Sequence, residues 1–353
     1  MTEKMNAAMF YAPKDVRFER TDVPSPGPGE LLVKVRAALT CGTDIKTYQR
    51  GHPVIIPKTP STFGHEYSGD IVEVGEGVTK FKPGMRVTAC NAVPCMNCYF
   101  CKLGHNELCE DLLIVNGAYA EYIVVPERMV NVNVYEVPDH ISYEEAALAE
   151  PLGTAVHALR KCRIDLGDTV AVLGTGPLGL MLIRLAHLQG ARVIVSGKGD
   201  ERLEIAKEFG ANDVIDIRDV PDPAERIKMV KEMCNFGYGP DVVVEAAGLP
   251  EAWEEAVDMV RPAGKVVFFG GCKSGTSITL DTKLMHYAEL TLYGVFHQTP
   301  DDYKRAFNLL TSRTVDGRQF VKETRPLDRL IDAFDEVKAL KAIKYAVDPT
   351  QMN

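Results

Sequence analysis

The 353-residue sequence has no run of about 18 apolar residues, the length a helix needs to cross a bilayer. Its opening, MTEKMNAAMF, lacks the basic and apolar stretches of a secretory signal, so the cytoplasm is the expected compartment. Positive charge is in deficit: 40 Lys and Arg stand against 49 Asp and Glu, a formal net charge of −9. A general phosphate-backbone binder needs a basic surface, so nucleic acid is not an expected partner. The chain carries neither an internal repeat nor a low-complexity tail. It is also too long for one ordinary core, which makes two domains the expectation.

Cysteine is plentiful by contrast, nine in all, and unevenly spread. Cys90, Cys95, Cys98, Cys101 and Cys109 crowd together, while Cys41, Cys162, Cys234 and Cys272 stand alone. In a reducing compartment such a cluster reads as a metal site before it reads as disulfides. The stretch PCMNCYFCKLGHNELC has the spacing C-x2-C-x2-C-x7-C, so Cys95, Cys98, Cys101 and Cys109 can surround one tetrahedral zinc. A closed four-thiolate shell leaves no position for water or substrate, so this is a structural zinc that folds a loop. The spacing departs from the common ferredoxin runs, which argues against an iron–sulfur cluster. Cys90 falls outside the spacing and reads as a buried strand residue.

Two rhythms divide the chain. Up to about residue 135, β-branched segments such as RFERTDVP, ELLVKVRAA, YSGDIVEVG, RVTACNAV and AEYIVVP alternate with Gly and Pro clusters, the pattern of a barrel-like β domain. SYEEAALAEPLGTAVHALRKC then reads as a helix, with Ser142 as N-cap and Glu145 three residues on. After it, apolar strands (TVAVLG, RVIVSG, DVIDI, DVVVEAAG, KVVFFGG) alternate with helical stretches, which predicts a parallel sheet covered on both faces. The amphipathic LDRLIDAFDEVKAL and a strand-like KYAVD follow. The fold class is therefore α/β, with a β-rich domain over 1–152, a dinucleotide-type domain over 153–293, and a segment over 294–353 that returns to the first.

TVAVLGTGPLGL places Gly174, Gly176 and Gly179 in a G-x-G-x-x-G turn between a strand and a helix, the context that makes the pattern informative. Gly174, Thr175, Gly176, Pro177, Leu178 and Gly179 are thus expected to cradle a dinucleotide pyrophosphate at a helix N-terminus. Ala246, Ala247, Gly270 and Gly271 end the fourth and fifth strands, where a dinucleotide crosses such a sheet. An NAD binder usually carries an acid at the end of the second strand, but Gly197 and Lys198 stand here. Lys198, with Arg202 as a second cation, favours the 2′-phosphate of NADP; Asp200 and Glu201 nearby are the counter-argument for NAD.

A second ligand-type set is scattered: Cys41 in ALTCGTDIK, His65 and Glu66 in FGHEYSGDIVEVGEGV, and Glu150 in LAEPLG. One thiolate, one imidazole and carboxylate make the mixed shell of a catalytic zinc, which keeps an open position. With CGTD at 41–44, GHEYSGDIVEVGEGV at 64–78, the four-cysteine loop, AEPLGTAVHA at 149–158 and GTGPLG at 174–179 in that order, the chain resembles the zinc-dependent medium-chain dehydrogenases, near their polyol (sorbitol) and threonine dehydrogenase branch. The resemblance implies a GroES-like barrel carrying the catalytic zinc, a doubly wound Rossmann domain carrying the cofactor, and a cleft between them. It implies Cys41 and His65 as zinc ligands, Glu66 and Glu150 as the two carboxylate positions, Asp44 as the residue orienting His65, and Thr43 as the hydroxyl that relays the substrate proton. Lys46 departs from it, since many members have a His there that passes the proton onward. Tyr119, Phe296 and His297 are implied as walls of the substrate pocket.

The implied reaction is reversible hydride transfer between a secondary alcohol or polyol and NAD(P), giving a ketone, in a homo-oligomer, a tetramer ahead of a dimer. A threonine-type amino alcohol is the rival substrate. A non-catalytic zinc module or dinucleotide-binding sensor is the rival class, and about two zincs per chain rather than one discriminates against it.

Overall fold

The computed structural model describes residues 3–53 and 55–352. They form two compact units: residues 1–153 with 298–353, and residues 154–297. The first is thus assembled from two chain segments.

The hub of the first unit is the strand Leu31–Leu39, whose LLVKVRAAL is almost wholly buried. It pairs antiparallel with Tyr67–Val74 and Tyr122–Val125, and its end pairs antiparallel with Lys344–Asp348 through Ala38↔Val347 and Leu39↔Ala346. Arg86–Ala89 and Val134–Glu136 extend the sheet on one side, and Val321–Pro326 on the other. The same apolar core takes Phe63, Tyr119, Leu330, Phe334 and Tyr345, so the returning segment is part of the barrel's interior. RVTACNAV is two short strands, Arg86–Ala89 and Ala92–Val93. Cys90 is buried as expected but lies between them rather than in a strand.

SYEEAALAEPLGTAVHALRKC is two helices, Tyr143–Ala147 and Ala149–Cys162, rather than one. The Ser142–Glu145 capping box starts the first. The break at Leu148 follows from Pro151, which has no N–H to give the preceding turn and is tolerated only where a helix begins.

The second unit holds a six-stranded parallel sheet in the order Asp213–Asp216, Arg192–Gly197, Thr169–Leu173, Val242–Glu245, Lys265–Phe268, Thr291–Gly294. This is the doubly wound order, with the first strand at the centre beside the second and fourth. TVAVL is buried at all five positions, which is why it shows no alternation. Among the described residues no helix is long and apolar enough to cross a membrane.

Candidate active site

Three segments end together at one edge of the barrel. Cys41 follows the strand Leu31–Leu39, Glu66 precedes Tyr67–Val74, and Lys344 opens the strand Lys344–Asp348. The backbone ties them in place: Leu39 N donates to Glu66 O at 2.9 Å, and Thr40 N to Tyr345 O at 3.0 Å. Cys41 also caps the helix Gly42–Arg50, its sulfur accepting from Thr43 N at 3.5 Å. Ligand atoms of Cys41, His65 and Glu66 lie within 4.8 Å of one another. Glu150 is buried near the start of the helix Ala149–Cys162, bonded from Gln298 Nε2 at 3.1 Å, and does not join that tight group. Burial pushes its carboxyl up to about 7.

The group fits a divalent metal on its chemistry. His65 Nδ1 is 3.0 Å from Asp44 Oδ1, so the imidazole keeps its proton there and offers Nε2 as a ligand. Thiolate, imidazole and carboxylate are the donors zinc takes in a site with an open position. Thr43 is half-buried on the first turn of the same helix, and Lys46 is exposed.

Sequence reasoning missed Lys344. Its ammonium, 1% exposed, donates to Glu66 Oε1 at 2.8 Å, Glu66 Oε2 at 2.6 Å and Thr40 O at 2.8 Å. Burial pulls the ammonium down, but the Glu66 carboxylate, Cys41 and Glu150 together outweigh it and hold Lys344 above its ordinary value. Burial pushes the Glu66 carboxyl up against that charge, but both of its oxygens lie within hydrogen-bond distance of the ammonium, so the two form a close buried pair. Nothing local in KAIKYAVD marks this lysine; only an apolar strand opening on a cation hints at a buried partner.

Cys95, Cys98, Cys101 and Cys109 also gather with ligand atoms within 4.8 Å of one another. Backbone amides of Cys98 and Cys95 point at sulfur, Cys98 N to Cys95 Sγ at 3.2 Å and Cys95 N to Cys109 Sγ at 3.1 Å. Amides at Cys101 and Glu110 pull Cys98 down to about 6, while burial pushes Cys101 up to about 12. Four sulfurs this close all ionise only around a divalent cation, so the cluster fits zinc.

In the second unit the glycine turn is shaped for a close ligand. Gly174 sits at φ +116°, and a Cβ on Gly179 would come within 2.1 Å of Gly174 O. Around Gly176, the N-cap of the helix Pro177–Leu188, the space is open. Thr175 Oγ1 donates to Lys198 O at 2.8 Å and accepts from Lys198 N at 3.2 Å, tying the turn to the end of the second strand beside Gly197. Ala246 and Ala247 follow Val242–Glu245, and Gly270 and Gly271 follow Lys265–Phe268. Lys198 is exposed, whereas Arg202 is buried, so of the two expected cations only Lys198 is presented at the surface. The structure adds Arg218, brought alongside by the third strand, which binds both Asp216 and Asp200. Asp200 is therefore already paired. Phe296 is exposed and His297 half-buried at φ +55°, while Tyr119 is fully buried and lines no surface.

Two family profiles match the chain: "Alcohol dehydrogenase GroES-like domain" over residues 27–139 and "Zinc-binding dehydrogenase" over 177–312. The sorbitol dehydrogenase of Bacillus subtilis (strain 168) is 34% identical over 99% of this chain and 98% of its own. The L-threonine 3-dehydrogenase of Pyrococcus abyssi is 38% identical over 84% of each. A protein of Sinorhizobium meliloti 1021, solved bound to NADP, superposes with a TM-score of 0.89 at 29% identity, covering 99% of this chain and 100% of that one. The chain belongs to the zinc-dependent medium-chain alcohol and polyol dehydrogenases, enzymes that take a hydride from a CH–OH carbon to NAD(P).

Proposed function

We propose that this dehydrogenase oxidises a secondary alcohol or polyol to a ketone, prefers NADP, and carries two zinc ions per chain. The observation that supports this reading most directly is the gathering of Cys41, His65 and Glu66 apart from the saturated four-cysteine shell. In this reading Cys41, His65 and Glu66 hold the catalytic zinc, with Glu150 as the second carboxylate position. Cys95, Cys98, Cys101 and Cys109 hold the structural zinc. Bound there, zinc supplies the Lewis acidity that lowers an alcohol's pKa, and the nicotinamide supplies the hydride acceptor. Asp44 fixes the His65 tautomer, and Lys344 balances the Glu66 charge. Thr43 takes the alcohol proton; Lys46 is exposed, so the proton passes from Thr43 to water rather than through a second side chain.

The turn Gly174–Gly179 takes the pyrophosphate, with Ala246, Ala247, Gly270 and Gly271 alongside. Lys198, exposed after the second strand, attracts the 2′-phosphate. The working assembly is a homo-oligomer, a tetramer, and the compartment is the cytoplasm, where a chain with nine cysteines suits a reducing medium. The similarity to a threonine dehydrogenase favours one second reading, an amino alcohol as substrate.

One set of measurements tests both. Polyols, secondary alcohols and β-hydroxy amino acids are offered with NAD and with NADP, and nicotinamide absorbance is followed. Turnover of a polyol with NADP is expected; activity confined to threonine with NAD would reject the first reading. Zinc content is read in parallel. Cys41→Ser should lose one zinc and all turnover while still binding cofactor. Cys98→Ser should lose the other zinc, with activity falling only as the fold fails.

A further inference from the structure

Tyr119, in GAYAEY, is entirely buried, and its phenol oxygen lies 2.8 Å from Leu39 O and 2.8 Å from Asp44 Oδ2. The other carboxylate oxygen, Asp44 Oδ1, is the one that meets His65 Nδ1 at 3.0 Å. A phenol has a single proton to give, and an ionised carboxylate is a stronger acceptor than an amide carbonyl. Burial, with the Asp44 charge behind it, holds the Tyr119 phenol well above its ordinary value and so keeps it a donor.

The same ring also presses on the backbone that enters His65. Gly64 sits at φ +91°, and a Cβ there would come within 2.6 Å of the Tyr119 ring. Ala118 N donates to Gly64 O at 3.1 Å and Tyr119 N to Phe63 O at 3.0 Å. Phe63 and Phe334 hold the ring edge-on, with centroids 5.1 Å and 6.0 Å away. One immobilised side chain therefore touches both the residue before the imidazole and the carboxylate that aims it.

We propose that Tyr119 is a positioning residue for the metal site: its hydroxyl locks the Asp44 carboxylate and, through it, the direction in which His65 presents Nε2. This rests on the reading of Cys41, His65 and Glu66 as ligands of the catalytic zinc. Without the hydroxyl, Asp44 Oδ2 loses its charge-assisted donor inside a buried site, and the carboxylate is free to turn about its side chain. His65 then holds its metal less firmly, as happens when an outer hydrogen bond to a ligating histidine is removed.

Zinc release to an excess of chelator, followed in the holoenzyme, tests the proposal. Wild-type protein should release two zincs in two phases, and Cys41→Ser and Cys98→Ser assign which phase is which. Tyr119→Phe should speed the catalytic phase about tenfold and leave the four-cysteine phase unchanged. The visible spectrum of the protein with cobalt in the catalytic site should shift as well. Tyr303→Phe is the control. That phenol is also buried, 3.0 Å from Thr88 Oγ1, and its loss should lower stability without touching either readout. A Tyr119→Phe protein with the wild-type release rate and cobalt spectrum would overturn the proposal. If that variant does not fold, 3-fluorotyrosine at position 119 keeps the volume and strengthens the donor; a cobalt spectrum unmoved by it overturns the proposal equally. A wild-type chain that binds a single zinc and releases it in one phase would overturn the ligand reading itself, and the proposal with it.

Discussion

Lys344 and Glu66 are 1% and 0% exposed, and each is the other's countercharge. Removing one partner of such a pair strands the other in a low-dielectric interior, at a cost of about 3–5 kcal/mol. Lys344→Met should therefore lower the unfolding free energy measured by urea denaturation by that amount. The double variant Lys344→Met with Glu66→Gln should recover part of the loss, because no bare charge is left; equal losses in both would show that packing, not charge, is at stake. At this scale the sequence is a good guide to which atoms are chemically suited and a poor one to what holds them. Cys41, His65 and Glu66 stand out as donor types in short motifs. Tyr119 shows only a ring and a hydroxyl in GAYAEY, compatible with a pocket wall or with the buried donor that the structure reveals. Arg202 and Lys198 look alike as cations four residues apart, and only the helix Asp200–Glu208, which turns Arg202 inward, separates them.

Elements carry a different kind of information. The buried strands of the Rossmann sheet are legible because each is continuous, apolar and followed by a helix, so pattern and burial agree. The helix break at Leu148 is less so, since it depends on one residue, Pro151, inside an otherwise consistent pattern. The end of the strand Val242–Glu245 offers a test of its own. Glu245 Oε1 accepts from Ala247 N at 2.6 Å and Gly248 N at 2.7 Å, fixing the turn beside the proposed cofactor site. Burial nonetheless pushes its carboxyl up to about 7, against those amides. A raised carboxyl keeps its proton in the folded state at pH values where the unfolded chain has lost it. Its contribution to stability is thus full below the unfolded value and is lost as pH rises towards 7. Relative to Glu245→Gln, the wild-type protein should lose stability between about pH 4.5 and 7 and then level off. Urea midpoints of the two proteins measured at pH 5 and pH 8 check this, and parallel values at both would contradict it.

At the scale of the molecule, the first unit is closed by residues 298–353. Leu327, Leu330, Phe334, Tyr345 and Val347 from that segment lie in the barrel core. The parallel sheet of the second unit draws on residues 154–297 alone. A chain ending at residue 297 should therefore lose the proposed catalytic zinc and most protection of the barrel from protease, while a fragment near 154–297 resists digestion. Two bound zincs and a protected barrel in that truncated protein would refute the dependence.

The ion pair under the proposed metal site also has a place in time. Glu66 precedes Lys344 by 278 residues, so a ribosome adding 5–20 residues per second leaves the carboxylate waiting about 15–55 s for its cation. The four-cysteine loop, with all its ligands within fifteen residues, has no such wait. During synthesis the proposed structural zinc can be captured while the chain is still emerging. The catalytic position, by contrast, reaches its final charge balance only after the whole second unit has been made.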